Sequence, residues 1–351
     1  MRRLDRLAAL AALTVALAGA LAGCPGPGTG QSVDAGPTVD APPNPDGSTC
    51  DPDRPPSVAP ELHIGPQDLQ GPIGAQIDAA SQSIDVQMYG FTLTSLSNKL
   101  IAAKNRGVAV RVILDQSEAS ANANVRTALL NAGIPVQWAP SVFPYSHAKY
   151  LLFDHDTAFI LSGNLSISGM VDQRNAGLID RDPTNVSDLS AIFAADWAMA
   201  PDTLHLDCPR LMISPADART RVLNLIASAR STLDIEVYYI ADVGVRTAVV
   251  SAKNRGVAVR VILAEPSEVS DNDATATALK TAGVPVRMLA DPIPHIKLII
   301  ADGAAALVGS HNMSESSLRE NREIGEISRT PAVVSALLSR LDGDWNLATP
   351  W

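Results

Sequence analysis

The sequence predicts an α/β protein made of two similar halves, each an αβα sandwich, packed as a pseudo-twofold pair. The segment KNRGVAVRVIL occurs twice, at residues 104–114 and 253–263. The order of strand and helix patterns around it also recurs, so a unit of about 150 residues is present twice. Hydrophobic residues make up 46% and charged residues 18% of the 351 residues, a balance typical of globular proteins.

Each copy begins with an alternating apolar stretch, at residues 83–89 and 232–239, that predicts a strand. A helical pattern follows and ends before Gly107 or Gly256, since glycine favours the left-handed conformation that closes a helix. The repeated VAVRVIL then predicts a buried parallel strand. A second helix and a short strand complete each copy. This alternation implies a sheet with helices on both faces.

The domain boundaries follow from the repeat and from the composition of the amino terminus. Residues 1–23 consist of a short arginine-rich segment followed by an apolar run, as in a secretory signal. Residues 24–60 are rich in Pro, Gly and Asp, so we expect a disordered tether. The two halves are then 61–200 and 201–351.

Three cysteines are an odd number for an exported protein, but a lipid on Cys24 would explain it. Residues 21–24 (LAGC) resemble the lipobox of bacterial lipoproteins, which implies cleavage before Cys24 and lipid attachment to it; an uncleaved anchor and a simple cleaved signal are the alternatives. With Cys24 lipidated, Cys50 and Cys208 are an even pair. They form either a disulfide or two free thiols, and no metal-ligand spacing is present, so no metal or other cofactor is expected.

The residues with chemical potential occupy matching places in the two copies. The separations from His to Lys, Asp and Asn are 2, 7 and 17 residues in both, with a Ser two residues before each Asn. The first copy has His147, Lys149, Asp154, Ser162 and Asn164, and the second has His295, Lys297, Asp302, Ser310 and Asn312. One such motif is a weak signal, but two at matching places are a strong one.

Strand geometry explains the spacing. Residues two apart on a strand project from the same face, so each His and its Lys point the same way. If the halves meet with these faces opposed, two imidazoles, two ammonium groups and several amide and hydroxyl groups converge on one cavity. That composition suits a phosphodiester, because cations and amides hold the anionic oxygens while imidazoles act on phosphorus.

The two HKD motifs, with their downstream Ser and Asn, resemble the phospholipase D superfamily over most of residues 60–345. The resemblance implies an αβα fold and a metal-independent reaction in two steps. It implies that His147 is the nucleophile, forming a phosphohistidine, and that His295 is the general acid and base. Lys149, Lys297, Asn164 and Asn312, with Ser162 and Ser310, would bind substrate. Asp154 and Asp302 would support the loop and strand.

The position 28 residues after each His differs between the copies. It is Glu323 after His295 and Asn175 after His147. In the family an acidic residue near this position orients the imidazole. Glu323 is therefore expected to assist catalysis, and Asn175 to accept the same hydrogen bond through its oxygen or to present its nitrogen. On this basis we expect His147 to titrate below His295.

A few further residues have two interpretations each. His311, just before Asn312, either supports the site or is a structural residue. Trp138, Phe143 and Tyr145 either line an acyl-chain entrance or pack within their loop. Ile293, between two prolines, lies at the equivalent place in the second copy and favours a shared apolar rim.

These observations favour a phospholipase D-type phosphodiesterase that cleaves phospholipid head groups or transfers phosphatidyl to an alcohol. A secreted nuclease and a non-catalytic phosphate- or lipid-binding protein are the alternatives. Without residues 1–23, which contain three arginines and one aspartate, 24 basic and 36 acidic residues give a net charge of −12, a poor surface for nucleic acid. We expect a monomer in the bacterial cell envelope, held to a membrane through Cys24.

Overall fold

Both halves form sheets with one topology in the computed structural model, which describes residues 50–66 and 68–351. The first half contains β1 (Glu61–Ile64), β2 (Ser83–Met88), β3 (Ala109–Leu114), β4 (Val136–Trp138), β5 (Lys149–Phe153), β6 (Thr157–Leu161), β7 (Gln173–Arg174), β8 (Ala176–Asp180), α1 (Gln70–Ala79), α2 (Thr94–Asn105), α3 (Ala119–Asn131) and α4 (Pro183–Trp197). Its main sheet has the order β1-β8-β6-β5-β2-β3-β4.

The second half repeats this order with one added edge strand. It contains β9 (Leu211–Ser214), β10 (Thr232–Val237), β11 (Ala258–Ala264), β12 (Val286–Leu289), β13 (Ile293–Pro294), β14 (Lys297–Ala301), β15 (Ala305–Gly309), β16 (Glu323–Ser328), β17 (Thr349–Pro350), α5 (Ala218–Ser228), α6 (Val243–Asn254), α7 (Asp271–Thr281), α8 (Glu315–Arg319) and α9 (Pro331–Leu347). Its sheet order is β17-β12-β11-β10-β14-β15-β16-β9. The predicted pair of α/β halves is therefore confirmed.

Local sequence signals explain where key helices begin and end. Gly107 and Gly256 follow α2 and α6 with φ of 99° and 90°, the left-handed conformation expected of them. Asp182 caps α4 by accepting from the Thr184 N–H at 3.0 Å, and Pro183 occupies the first turn, where its missing N–H costs nothing.

Among the described residues, four apolar clusters form the core. One in each half lies between the sheet and its outer helices. The other two join the halves, because each combines residues from both. Ala176 and Leu178 of β8 pack with β14, β15 and α9, while Ile213 of β9 and Ile324 of β16 pack with β5, β6 and α4.

Buried ion pairs also join the halves. The Arg174 guanidinium contacts the Asp344 carboxylate with Nε–O and Nη–O distances of 2.6 and 2.8 Å, and Arg322 contacts Asp196 at 3.0 and 2.7 Å. Each pair takes one residue from each half. Bidentate pairs fix orientation as well as distance, so they set the register of one half against the other.

Residues 50–57 are fixed to the junction between the halves, although the sequence assigned them to the tether. Cys50 and Cys208 form a disulfide with a Cα–Cα distance of 5.4 Å. Arg54 Nη1 donates to the Cys208 carbonyl at 2.9 Å, and the Ser57 N–H donates to Asp182 at 2.6 Å. The expected pairing of these cysteines is confirmed, while the signal, Cys24 and residues 25–49 lie outside the described residues.

The described helices give no sign of a membrane crossing, since none is both long and apolar enough. Both sheets, all four clusters and the disulfide belong to one compact unit.

Loss of the disulfide should destabilise the protein. The bridge closes a loop with a sequence separation of 158 residues, and such cross-links contribute about 2–4 kcal/mol by restricting the unfolded chain. We expect the double variant Cys50→Ser, Cys208→Ser to unfold at a lower urea concentration than the oxidised parent protein. Reductant should lower the midpoint of the parent protein and leave that of the variant unchanged. Equal midpoints for parent and variant would contradict the prediction.

Candidate active site

The two motifs meet at the seam between the halves. His147 and His295 stand two residues before Lys149 and Lys297, which begin β5 and β14. The segment leading to each His pairs with the other half: the Arg322 N–H donates to the Tyr145 carbonyl, and the His295 N–H donates to the Arg174 carbonyl, both at 2.9 Å. β13 and β7 continue the second pairing.

Each imidazole takes its hydrogen-bond partner from the other half. His147 Nδ1 lies 2.9 and 3.0 Å from the Glu323 carboxylate oxygens. His295 Nδ1 lies 3.0 Å from Asn175 Oδ1. The expectation that Asn175 serves His147 is therefore wrong. The partners are exchanged because each 28-residue connection ends in a strand at the seam, directly opposite the other motif.

Asn175 presents its oxygen to His295. Its Nδ2 donates to the Gly169 carbonyl at 2.9 Å, and its Oδ1 accepts from Ser162 Oγ at 2.8 Å. The oxygen therefore faces the imidazole, and His295 must carry its proton on Nδ1 to donate to it. This tautomer leaves Nε2 with a free lone pair.

The two imidazoles titrate in the order opposite to our expectation. Burial lowers the pKa of His147, and the Glu323 carboxylate partly offsets that effect. Burial, followed by the charges of Lys297 and Lys149, holds the pKa of His295 well below its usual value, and no carboxylate offsets it. Burial alone would raise the pKa of Glu323, but His147 and other neighbours lower it to about 2, so it is ionised.

The two lysines, each two residues after its histidine, are fully buried. Lys149 Nζ donates to the His147 carbonyl at 2.6 Å, and Lys297 Nζ donates to the His295 carbonyl. Burial lowers the pKa of Lys149 to about 7 and that of Lys297 well below its ordinary value. An anion bound between them would supply the missing counter-charge and favour both ammonium forms.

The serines have structural contacts rather than the substrate-binding role expected of them. Ser162 Oγ accepts from the Ala176 N–H at 2.9 Å while it donates to Asn175. Ser310 Oγ accepts from the Ile324 N–H at 3.1 Å. Both side chains are buried where β6 and β15 meet the next strand, so their oxygens are already used.

The two asparagines differ in their contacts. Asn164 Oδ1 accepts from the Gly90 N–H at 3.3 Å, an arrangement that leaves its amide NH2 group to donate. Asn312 Oδ1 is buried with no hydrogen-bond partner among the described residues. Both follow the strand ends that carry the motif serines, so they remain candidates for substrate contact.

Asp154 and Asp302 lie at the opposite ends of β5 and β14, away from the imidazoles. Asp154 accepts backbone N–H groups from Ser81, Gln82 and Ser83 at 2.8–2.9 Å. Asp302 accepts those of Arg230, Ser231 and Thr232 at 2.7–3.1 Å. They fix the chain entering β2 and β10, in agreement with the supporting role expected of them.

Two tyrosines were missed by the sequence analysis. The Tyr89 ring lies 4.8 Å from the His147 ring, and the Tyr238 ring lies 5.4 Å from the His295 ring, measured between centroids. Lys149 Nζ lies 5.2 Å from the centre of the Tyr89 ring. Burial, the largest influence, raises the pKa of Tyr89 to about 12, so its hydroxyl stays neutral. Their equal spacing from the repeated segment was a usable signal.

Ser317 and His311 complete the surroundings of Glu323. Ser317 Oγ donates to Glu323 Oε1, a contact that no sequence motif predicted. His311 is fully buried, and neither ring nitrogen has a hydrogen-bond partner among the described residues. Burial lowers its pKa to about 4, so the ring is neutral. Gly325 makes room for it, since a Cβ there would lie 3.1 Å from His311 Nδ1.

Both imidazoles have their Nδ1 atoms occupied by a partner from the other half. Their Nε2 atoms are the ones left for chemistry, and the side chain of His147 is 12% exposed, enough for contact with a substrate. Within the described ranges, no three His, Cys, Asp or Glu side chains come together as a metal site.

The exchanged partners should be visible in the titration of the two histidines. Asn175→Asp places a carboxylate beside His295, and we expect its pKa to rise by about 1–3 units. Glu323→Gln removes the carboxylate from His147, whose pKa should fall. NMR of ring-labelled histidine measures both. If Asn175→Asp moved the pKa of His147 and left that of His295 unchanged, the assignment of partners would be wrong.

Known proteins share this fold and parts of this sequence. Phospholipase D Y of Dictyostelium discoideum is 30% identical over 148 residues, which cover 36% of this chain and 34% of that protein. Cardiolipin synthase A of Pectobacterium carotovorum is 26% identical over 301 residues, 71% of this chain and 61% of the relative. The structure of phosphatidylserine synthase from Haemophilus influenzae has a TM-score of 0.66 at 12% identity, covering 83% of this chain and 87% of that one. The last similarity shows a shared fold.

The chain also matches the sequence model of one protein family. The model described as "Cardiolipin synthase, PLD-like domain" matches residues 73–197 and 222–345, once in each half and over more than half of the chain. The protein therefore belongs to the phospholipase D-like superfamily.

Proposed function

We propose that the protein is a phospholipase D-type phosphodiesterase that cleaves phospholipid head groups through a phosphohistidine. The observation that carries the proposal is the unequal pairing of the two imidazoles, a carboxylate on His147 and a neutral amide on His295. Two chemically different imidazoles, brought together where the halves meet, suit a reaction with a nucleophile and a separate acid.

His147 is the better nucleophile. When its Nε2 attacks phosphorus, a P–N bond forms and the ring becomes positively charged, since Nδ1 keeps its proton. The Glu323 carboxylate at 2.9 Å stabilises that charge in a buried site, where a charge is otherwise costly.

His295 is the better acid and base. The bound phosphodiester anion favours protonation of His295, whose pKa is low without substrate, and the resulting imidazolium gives its Nε2 proton to the leaving alkoxide oxygen while the P–O bond breaks. Asn175 accepts from its Nδ1 without adding negative charge, so the imidazolium is a stronger acid. Neutral His295 then takes a proton from water or from an acceptor alcohol, whose oxygen attacks phosphorus and breaks the P–N bond. This returns both histidines to their starting states.

A phospholipid is a better substrate candidate than nucleic acid. The net charge of −12 outside residues 1–23 opposes a polyanion. The relatives include proteins named phospholipase D and cardiolipin synthase. A nuclease of the same chemistry is the second candidate, and a binding protein without activity is the third.

A substrate series in chelator distinguishes these candidates. The substrates are phosphatidylcholine or phosphatidylglycerol vesicles, plasmid DNA and bis-p-nitrophenyl phosphate. We expect lipid turnover, and a loss of about 10²–10⁴-fold in His147→Ala and in His295→Ala. His205→Ala, a change at an exposed histidine, is the matched control and should retain activity. DNA cleavage alone would favour the nuclease, and no turnover of any substrate the binding protein.

Location in the bacterial cell envelope through a lipid on Cys24 is part of the same proposal. It would place the catalytic unit beside its substrate. We expect the protein in the membrane fraction of an expressing Gram-negative host and Cys24→Ala in the soluble periplasmic fraction. Membrane association that survives Cys24→Ala would instead support an uncleaved anchor.

A further inference from the structure

Five large apolar side chains are exposed in or directly after the loops around the two imidazoles. They are Val142 (57% exposed), Tyr145 (43%), Ile167 (64%), Val171 (42%) and Val243 (66%). Single exposed apolar residues are ordinary on a protein surface, but a set confined to one place marks an interaction site.

The sheet registers place these five residues at one edge. Met88 at the end of β2 pairs with Lys149 at the start of β5, and Val237 pairs with Lys297 in the same way. The loops that precede β5 and follow β6 and β10 therefore lie at the edge that carries the imidazoles. Val142 and Tyr145 belong to the first loop and Ile167 and Val171 to the second, while Val243 is the first residue of α6, directly after the third. We call this set the apolar rim.

The charges around the rim do not suit a polyanion. The segments 139–148, 162–175, 238–243, 290–296 and 310–322 contain no lysine and three arginines. Arg174 and Arg322 are buried against Asp344 and Asp196, and Arg319 lies 3.6 Å from Glu315. Nucleic acid binding depends on cations that are free to neutralise phosphates, and each cation here has a carboxylate partner.

A cavity of mixed lining lies beside Arg322, with Asp202 and Asp217 among its polar residues. It has a volume of about 480 Å³ and lies between the loop of Phe143 and the junction of the halves. Its apolar walls include Phe143, Leu204, Leu206 and Ile213. The Phe143 ring lies 4.2 Å from the Arg322 guanidinium carbon, which keeps that charge covered.

The geometry points to the apolar rim as a docking surface for a zwitterionic phospholipid bilayer, with the cavity beside it open to part of an acyl chain. The inference rests on the proposed function, since docking serves to bring a membrane phosphodiester to His147. A zwitterionic surface fits better than an anionic one because the protein carries a net charge of −12 outside residues 1–23. Apolar groups that enter the interface gain free energy in proportion to the area removed from water.

Vesicle binding tests the inference separately from catalysis. The protein without residues 1–41, which keeps the whole compact unit and lacks Cys24, is sedimented with phosphatidylcholine vesicles. Ile167→Asp and Val243→Asp change one rim residue in each half, and we expect each to weaken binding about 10-fold or more. Leu130→Asp is the matched control, because Leu130 is 40% exposed near the end of α3 at the opposite edge.

The outcomes separate the two proposals. The rim variants should lower vesicle turnover relative to bis-p-nitrophenyl phosphate turnover, while Leu130→Asp leaves both vesicle binding and this ratio unchanged. Absent vesicle binding, or equal binding by rim and control variants, would overturn the inference even if lipid is hydrolysed. Rim-dependent vesicle binding without turnover of any substrate would retain the docking surface and overturn the proposed function. A gel shift of duplex DNA that the rim variants weaken would replace the bilayer with nucleic acid.

Discussion

The site depends on an exchange of partners between the halves: each imidazole is oriented by a residue of the other half. Neither half alone can hold its own histidine in a defined tautomer, so a working site requires the two halves in one register. The Arg174–Asp344 and Arg322–Asp196 pairs supply that register, and each arginine precedes Asn175 or Glu323 in the chain. Removing one partner of such a buried pair costs about 3–5 kcal/mol of folding stability. Loss of either residue of a pair should therefore destabilise the packing of one half on the other.

Duplication alone would give two equivalent imidazoles, and single residue differences remove the equivalence. Asn175 stands opposite Glu323 in the repeat, and Gly163 opposite His311; a Cβ at Gly163 would lie 2.8 Å from the Asn175 amide. Gln87 corresponds to Glu236. Gln87 donates to Asp196 at 3.0 Å, whereas burial and the Asp344 charge raise the pKa of Glu236 well above its usual value. The raised pKa favours the protonated form of Glu236, which is uncharged like the Gln87 side chain.

Much of this architecture could be predicted from the sequence because the repeat and the strand periodicity are local signals. The KNRGVAVRVIL segments, Gly107 and Gly256, and the Cys50–Cys208 pair are examples. The exchange of hydrogen-bond partners could not be predicted from the sequence. Asn175 and Glu323 stand at equal distances after their own histidines, and only the packing of the two halves decides which imidazole each one contacts. The role of the serines could not be predicted for a related reason. Ser162 and Ser310 stand beside the asparagines in sequence, yet their oxygens accept hydrogen bonds from the neighbouring strands.

The charge of the seam explains why one carboxylate is better than two. With both lysines protonated, Lys149, Lys297 and Glu323 together carry a net charge of +1, which a phosphodiester monoanion neutralises. A second carboxylate at position 175 would balance the seam before substrate arrives and would then repel it. Without substrate, burial lowers the pKa of Lys149 to about 7, and burial followed by the charge of Lys149 lowers that of Lys297. Anion binding should therefore favour the protonated forms of both lysines. Because a carboxylate at position 175 would repel the anion, Asn175 serves substrate binding as well as the orientation of His295.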